Sequence, residues 1–587
     1  MDLKKSLQED IQEGIKRIYA WDRSRIELQK TKSDFSGDYT LVLFPLVKIL
    51  KKNLEEIALS LGEYLVSNSE FVSGYSHIKG FLNLSIKDHF LLENVRFVAQ
   101  QLDEVQKKNE TIMVEYSSPN TNKPLHLGHI RNNLLGYSLA NILEENGYKV
   151  IKTQIINDRG VHICKSMWAW EKFGEGKTPE STQTKGDKLV GDFYVMFDKK
   201  YKEEIKELKE QGIPEERARK EAPSILEVQK MLLGWENGDE KVRALWEKMN
   251  RWVYLGFDVT YKRLGVNFDQ VQYESTTYIL GKDIIEEGIK KGVFYKKSDG
   301  SVWVDLSEEG LDEKLLLRSD GTSVYITQDL GTAVERFKRN SIDRLIYTVG
   351  NEQDYHFQVL FGVLKKLGYS WAGQLYHLSY GMVELPEGKM KSREGNVVDA
   401  DDLMQQMYNI AKEKARELGK LDTLSPEEKR KSYETVGLGA LKYFMLKVEP
   451  RKKMLFDPEE SIDFNGNTGP FIQYAYARIQ SLISKVDFSY DDFPQSIKLN
   501  PYERDLIYLL SIYKETLTKA ADSLNPAHMA NYVYDLVKSY NAFYQNNPIL
   551  SVEDISRKKM RLYLSNLTAK TIKKSLALLG IQTVDRM

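Results

Sequence analysis

Between Thr111 and Ile156 the chain reads strand, loop, helix, strand, and no other segment constrains the fold as tightly. TIMVEYSS (Thr111–Ser118) is an apolar run that breaks at Pro119, Ile130–Asn146 carries a helical pattern closed by Gly147, and YKVIKTQII starts at once from Tyr148. Two strands joined through a helix in so short a span pair in parallel by a right-handed crossover, and such a unit binds ligands beyond the carboxyl ends of its strands. The loop Pro119–His129 is therefore the predicted site. Strand–helix alternation resumes at Ser323–Ile326, Arg344–Val349 and Leu375–Leu385. The pattern predicts an α/β catalytic domain with a doubly wound, Rossmann-like parallel sheet interrupted by an insertion.

The rest of the 587 residues divides around that sheet. Residues 1–105 alternate charged helical stretches with GFLNLSI (Gly80–Ile86), a strand pattern, and predict a small amino-terminal α/β domain. Residues 106–400 hold the sheet, with a charged helical insertion at about 171–275 and a hairpin in VFYKKSDGSVWVDL (Val293–Leu306). Residues 401–464 form a helical link, and 465–587, with YAYARIQSLI and YVYDLVKSYNAFY, predict an all-α bundle. A net charge of −1 gives no global cationic field, so nucleic-acid binding has to rest on local patches. The single cysteine, Cys164, excludes an intrachain disulfide and a cysteine zinc site, and eight histidines argue against a histidine-rich metal centre; no metal ligands are identified. No leader-like or membrane-spanning apolar run is present, which predicts a cytoplasmic address.

Two segments carry chemistry. In PNTNKPLHLGHIRNN, His126, Gly128 and His129 stand where a helix opens, so imidazole donors, free backbone N–H groups and the positive end of the helix dipole meet at one anion-binding spot, with Lys123 at its mouth. Gly128 removes a side chain that would block a nucleotide. In GMVELPEGKMKSREGNVV, a strand opens into a glycine-bearing loop with Lys389, Met390, Lys391, Ser392 and Arg393, a cationic loop suited to a triphosphate. Together, in this order, the two predict nucleotidyl transfer from ATP.

These motifs resemble the two signatures of the class I aminoacyl-tRNA synthetases. Within that class NDRG (Asn157–Gly160), LRSDGTSVYITQD (Leu317–Asp329), VGNEQDYHF (Val349–Phe357), FNGNTGPFIQYAYARI (Phe464–Ile479) and the terminal LALLGIQTVDRM resemble the arginyl-tRNA synthetases over nearly the whole length. The resemblance implies an ATP-dependent, Mg²⁺-assisted arginine–tRNA ligase, a monomer, in which ATP is held by His126, Gly128, His129, Lys389, Met390 and Ser392 and catalysis falls to His126, His129, Lys123, Lys389 and Lys391. It implies that Glu115, Tyr325 and Asp329 hold the guanidinium and that Asn120 and Gln353 hold the amino-acid end. A guanidinium presents five donors in a planar fork, and Tyr325 and Asp329, four residues apart, share a helix face if that segment is helical.

The resemblance further implies an anticodon-binding carboxy-terminal bundle, an amino-terminal domain that meets the tRNA elbow around Gly80–Asn83, and arginine activation that requires tRNA. Independently of it, seven basic residues and no acidic one lie between Ser556 and Lys574, beside the aromatic segment Tyr532–Tyr544. That predicts phosphate contacts by Lys558, Lys559 and Arg561 and base stacking on Tyr544. The chain departs from the family where Ser392 takes the position of the second signature's catalytic lysine, for which Lys123 is thought to substitute. Rival readings are a free-standing nucleotidyltransferase, disfavoured by the extra domains, and an inactive synthetase relative, disfavoured by the intact histidines and carboxylates.

Overall fold

The computed structural model describes every residue except 1, 23–25, 33, 387–397, 420–423, 487–492 and 495, together with all side chains but that of residue 418 in the remainder. The expected triphosphate loop, with Lys389, Met390, Lys391, Ser392 and Arg393, lies outside the described residues.

At the centre is a five-stranded sheet in the spatial order Leu375–Tyr380, Arg344–Gly350, Thr111–Glu115, Lys149–Ile156, Gln270–Tyr273, all pairs parallel. Its middle strands are buried on both faces, as parallel sheets require, with Ile112, Met113, Val114, Leu345 and Ile346 fully enclosed. The edge strand Gln270–Tyr273 falls inside the span that the sequence reads as helical insertion. Its four residues QVQY alternate, but over so short a span, with none of them buried, that they form no apolar run to mark a strand after the long helix before them. The segment Ser323–Ile326 is corrected too. Ser323 makes only an isolated bridge to Leu317, and Tyr325 already begins the helix Tyr325–Asn340, whose Ile326, Leu330, Ala333 and Val334 pack inward at helical spacing.

The insertion is helical elsewhere, in Val161–Phe173, Gly186–Glu210, Pro223–Glu236 and Glu240–Leu264. The expected hairpin is present as Phe294–Lys296 and Val302–Val304, joined by a third antiparallel strand, Lys314–Leu317. The amino-terminal unit is a four-stranded antiparallel sheet flanked by helices. Leu3, Leu7, Ile11 and Ile15, spaced four apart, bury one face of its first helix against the helices Leu54–Asn68 and Asp88–Gln101, and Asp2 caps that helix by accepting from the Lys5 N–H. The carboxy-terminal helices Gly469–Ile483, Pro501–Ser511, Tyr513–Asp522, Ala527–Asn546 and Ile555–Leu578 form the bundle.

Charged pairs fasten the amino-terminal unit to that bundle. Arg504 donates to Asp38 at 2.7 Å and also to Asp88, Lys4 meets Glu515 at 2.5 Å, and Lys30 meets Asp505 at 2.8 Å. No helix among the described residues is long and apolar enough to cross a membrane.

Candidate nucleotide and amino-acid site

The histidine loop is built by its own backbone. His126, in extended conformation, caps the helix Leu127–Glu145: its Nδ1 accepts from the Gly128 N–H at 3.1 Å, and the Nδ1 of His129 accepts in return from the His126 N–H at 3.1 Å. A Cβ on Gly128 would stand 3.0 Å from Cε1 of His126, so glycine lets the ring fold back over the helix start. With both Nδ1 atoms accepting, each neutral ring carries its proton on Nε2 and offers it as a donor. Burial, with Lys123 nearby, pushes His126 down to about 4, and burial, with His126 and Lys123 adjacent, pushes His129 down as well. The result is a pair of neutral imidazoles 3.9 Å apart between centroids at an open helix N-terminus, suited to phosphate oxygens. Burial also lowers the pKa of Lys123.

Neighbouring elements fix this loop. The Leu127 N–H donates to the Val398 carbonyl at 3.2 Å and the Ala400 N–H to that of Leu125 at 2.9 Å, which ties the start of the helix Ala400–Leu418 to the histidines. One turn on, Arg131 is fully buried and donates to the carbonyls of Gly381, Pro450 and Lys452 at 2.6, 3.1 and 3.0 Å. Asn132 accepts from the Ser117 N–H at 2.6 Å and donates to the Thr348 carbonyl at 2.7 Å. Neither residue stands out in the motif, although the consecutive polar side chains Arg131, Asn132 and Asn133 between Ile130 and Leu134 are a readable signal of a buried polar network.

Beyond the carboxyl ends of the central strands lies a cavity of about 710 Å³, and Glu115, Asn120, Tyr325, Asp329 and Gln353 all line it. Tyr325 and Asp329 do share one face of their helix. Glu115, at the end of its strand, is buried and ion-paired to Arg336 of the same helix, while Asp329 meets Nε2 of His356 at 2.6 Å. Arg336 and His356 were not anticipated, nor was Glu274, a third carboxylate on the wall, whose pKa burial pushes up to about 7 although the cation Arg159 opposes the shift. Arg159, whose role the sequence leaves open, lies 4.0 Å from the Tyr278 ring centroid and pairs with Glu236 at 2.8 Å. Among the described residues no group of three or more His, Cys, Asp or Glu side chains is placed to hold a metal ion.

The expected RNA-contacting face needs one correction. Arg561 is buried, with Nε donating to Glu503 at 2.8 Å and its other nitrogens to the Pro548 carbonyl at 2.7 Å and Asn547 Oδ1 at 2.9 Å. It braces the bundle and offers nothing to a phosphate. Arg557 also turns to Glu503, and Lys574 pairs with Glu145 at 2.9 Å, so the basic run is not one cationic face. Lys558 and Lys559 are half-buried, and the Arg478 guanidinium lies 4.7 Å from the Tyr544 ring centroid.

Three family descriptions match the chain in order: Arginyl tRNA synthetase N terminal domain over residues 5–86, tRNA synthetases class I (R), catalytic domain over 91–457, and DALR anticodon binding domain over 472–587. Proteins named arginine–tRNA ligase from Flavobacterium psychrophilum and Bacteroides thetaiotaomicron are each 54% identical to it, with the whole of both chains covered. The solved arginyl-tRNA synthetase of Thermus thermophilus superposes with a TM-score of 0.81 at 25% identity, covering all of both chains. That of Plasmodium falciparum gives 0.78 at 19% identity over 100% of this chain and 99% of its own, a likeness of fold alone.

Proposed function

From the premise that this chain belongs to the class I arginyl-tRNA synthetases and is an arginine–tRNA ligase, we propose how its residues divide the work. The strand-end cavity takes arginine: Asp329, Glu115 and Tyr325 hold the guanidinium, Glu274 adds a third carboxylate, and Asn120 and Gln353 hold the amino-acid end. His126, Gly128 and His129 take the ATP phosphates, with Lys123 beside them and Lys389, Met390, Lys391 and Ser392 completing the set from the second signature. The observation that carries this reading is the meeting of three carboxylates with Asn120 and Gln353 in one cavity, joined through the Asn120–His129 segment to a pair of neutral imidazole donors.

In this reading the arginine carboxylate attacks the α-phosphorus in line and pyrophosphate leaves; the 2′-hydroxyl of the terminal adenosine of tRNA(Arg) then attacks the arginyl carbonyl, loses its proton, and the acyl–phosphate bond breaks with AMP as the leaving group. No side chain forms a covalent intermediate, and catalysis consists of positioning and of Nε2–H and ammonium donors meeting charge on phosphate oxygens. Mg²⁺ belongs to the proposal as the counter-ion of ATP, bound by phosphate oxygens. Neither histidine is available to it, since each spends Nδ1 on the backbone and presents a proton at Nε2. The tRNA is met by Lys558, Lys559 and Tyr544 of the bundle and by the amino-terminal unit around Gly80–Asn83, and the enzyme acts as a cytoplasmic monomer.

The test is aminoacylation and pyrophosphate exchange across the amino acids, with and without tRNA, in the wild type and in Asp329→Ala. Loss of a charge-assisted bond of about 1.5–3 kcal/mol raises the arginine KM roughly 10–150-fold. An unchanged KM removes Asp329 from the pocket.

A further inference from the structure

Resting on the reading that the cavity takes arginine, we propose that Arg336 is a positioning residue for substrate recognition: it holds the Glu115 carboxylate from the protein side and cancels its charge. Glu115 is thereby left as a directional acceptor, and charge selection passes to the other carboxylates of the cavity.

Tyr325, Asp329, Thr332 and Arg336 all line the cavity from the helix Tyr325–Asn340, at the three- and four-residue steps of a single helical stripe. Arg336 is its deepest member, with a side chain only 1% exposed. Three strands of the sheet receive its guanidinium. Nη1 donates to Oε2 of Glu115, Nε donates to Oε1 of Gln272 at 2.8 Å, and the Tyr347 ring centroid lies 5.8 Å from Cζ. Oε2 of Glu115 is thus committed, whereas among the described residues Oε1 has only a long contact from the Ser118 hydroxyl, at 3.4 Å. The cavity therefore already contains one guanidinium on one carboxylate, and an incoming guanidinium meets the oxygen that remains.

Two consequences separate this arrangement from a simple acidic pocket. A carboxylate buried as deeply as Glu115 and left without a partner turns toward whatever donor or water it can reach, and a fixed acceptor is lost. A carboxylate already neutralised exerts little pull on a point charge, so a flexible ammonium gains less from it than a planar fork of donors does. Arg336 thus favours arginine over lysine by shaping the acceptor without adding attraction.

The experiment measures aminoacylation with tRNA present for Arg336→Met, Arg336→Lys, Glu115→Gln and the double variant Glu115→Gln/Arg336→Met, with the ATP KM and thermal melting as controls. Arg336→Met is expected to raise the arginine KM at least tenfold with the ATP KM within twofold, and Arg336→Lys to recover part of the loss. The double variant should be no worse than the poorer single variant, because Arg336 acts through Glu115. An unchanged arginine KM in Arg336→Met, or single losses that multiply in the double variant, overturns the proposal. If Arg336→Met does not fold, Arg336→Lys decides alone: it keeps the charge and lacks the fork, so an unchanged arginine KM overturns the proposal and a raised KM at unchanged melting supports it. Asp329→Ala distinguishes the levels. If that variant also leaves the arginine KM unchanged, the cavity reading fails, whereas a raised KM there with an unaffected Arg336→Met refutes only the role of Arg336.

Discussion

Replacing Arg561 by methionine should loosen the carboxy-terminal bundle without removing a phosphate contact. Methionine keeps the length and apolar stem of the arginine, so the perturbation is mainly the charge and its three hydrogen bonds. The partner, Glu503, has a fully buried side chain, and Oε2 of that same carboxylate also accepts from the Asn500 N–H at 2.9 Å, closing the cap of the helix Pro501–Ser511. Removing one member of such a buried pair costs about 3–5 kcal/mol, because the other charge is left desolvated. Arg557 lies 3.5 Å from Glu503 and retains part of the compensation, which places the expected loss near the lower bound, about 3 kcal/mol. Tryptophan emission would miss the event, since the last of the eight tryptophans is Trp371. Amide hydrogen exchange by mass spectrometry reads it directly: peptides from Pro501–Ser511 and Ile555–Leu578 should exchange roughly 100-fold faster or more, at about 1.4 kcal/mol per factor of ten. Replacing both partners, in Glu503→Leu/Arg561→Met, should restore much of the protection. Protection within twofold of wild type in Arg561→Met, combined with a salt slope for tRNA binding reduced by roughly 0.7–0.9, would show that Arg561 reaches RNA and refute the argument.

Three further outcomes are expected. Lys123→Ala should lower kcat and kcat/KM together by about 10²–10³-fold with little change in ATP affinity, as for loss of one oxyanion-type donor, and a larger loss in Lys391→Ala under single-turnover conditions would move that role to the second signature. Lys558→Ala/Lys559→Ala should weaken tRNA binding and reduce its salt slope by about 0.7–0.9 per lost phosphate contact while leaving arginine and ATP binding alone; an unaltered slope makes them an ordinary solvated stretch. Burial pushes Glu274 up to about 7, so it gains its negative charge as pH rises through that value, and arginine, cationic throughout, should bind more tightly at pH 8 than at pH 6. Glu274→Gln should flatten that dependence, and a dependence that survives intact would assign it elsewhere.

The features legible in the sequence are those that local pattern controls. The strand Thr111–Glu115, the helix after it and the strand Lys149–Ile156 are encoded by contiguous apolar runs and by Pro119 and Gly147, and the shared face of Tyr325 and Asp329 follows from helical spacing alone. The edge strand Gln270–Tyr273 is only four residues long, has no buried side chain and is held by backbone pairing to its neighbour, so its trace in the sequence is slight. Glu274 and Arg336 reach the cavity only when strands far apart in the chain are laid side by side; the contact of Arg336 with Glu115 spans 221 residues. Arg561 was misread for the same reason. Within the run Ser556–Lys574 its charge looks like that of Lys558 or Lys559, and the acidic partner that draws it inward stands 58 residues earlier, in another helix. Composition shows a cation, whereas burial decides what the cation serves.

The clamp formed by Arg504 bears on the order in which the protein is made. Asp38 and Asp88 are synthesised well before the guanidinium that joins them, which lies 466 and 416 residues further on. At about 5–20 residues per second the amino-terminal unit stands finished on its docking side for roughly 20–80 s before its partner is synthesised. During that interval Asp38 and Asp88, and with them Lys4 and Lys30 of the same docking side, remain hydrated and without the partners that cover them in the folded protein. Helices made later then supply a cation for the two carboxylates and carboxylates for the two lysines, so a chain truncated before residue 504 should show its amino-terminal unit undocked.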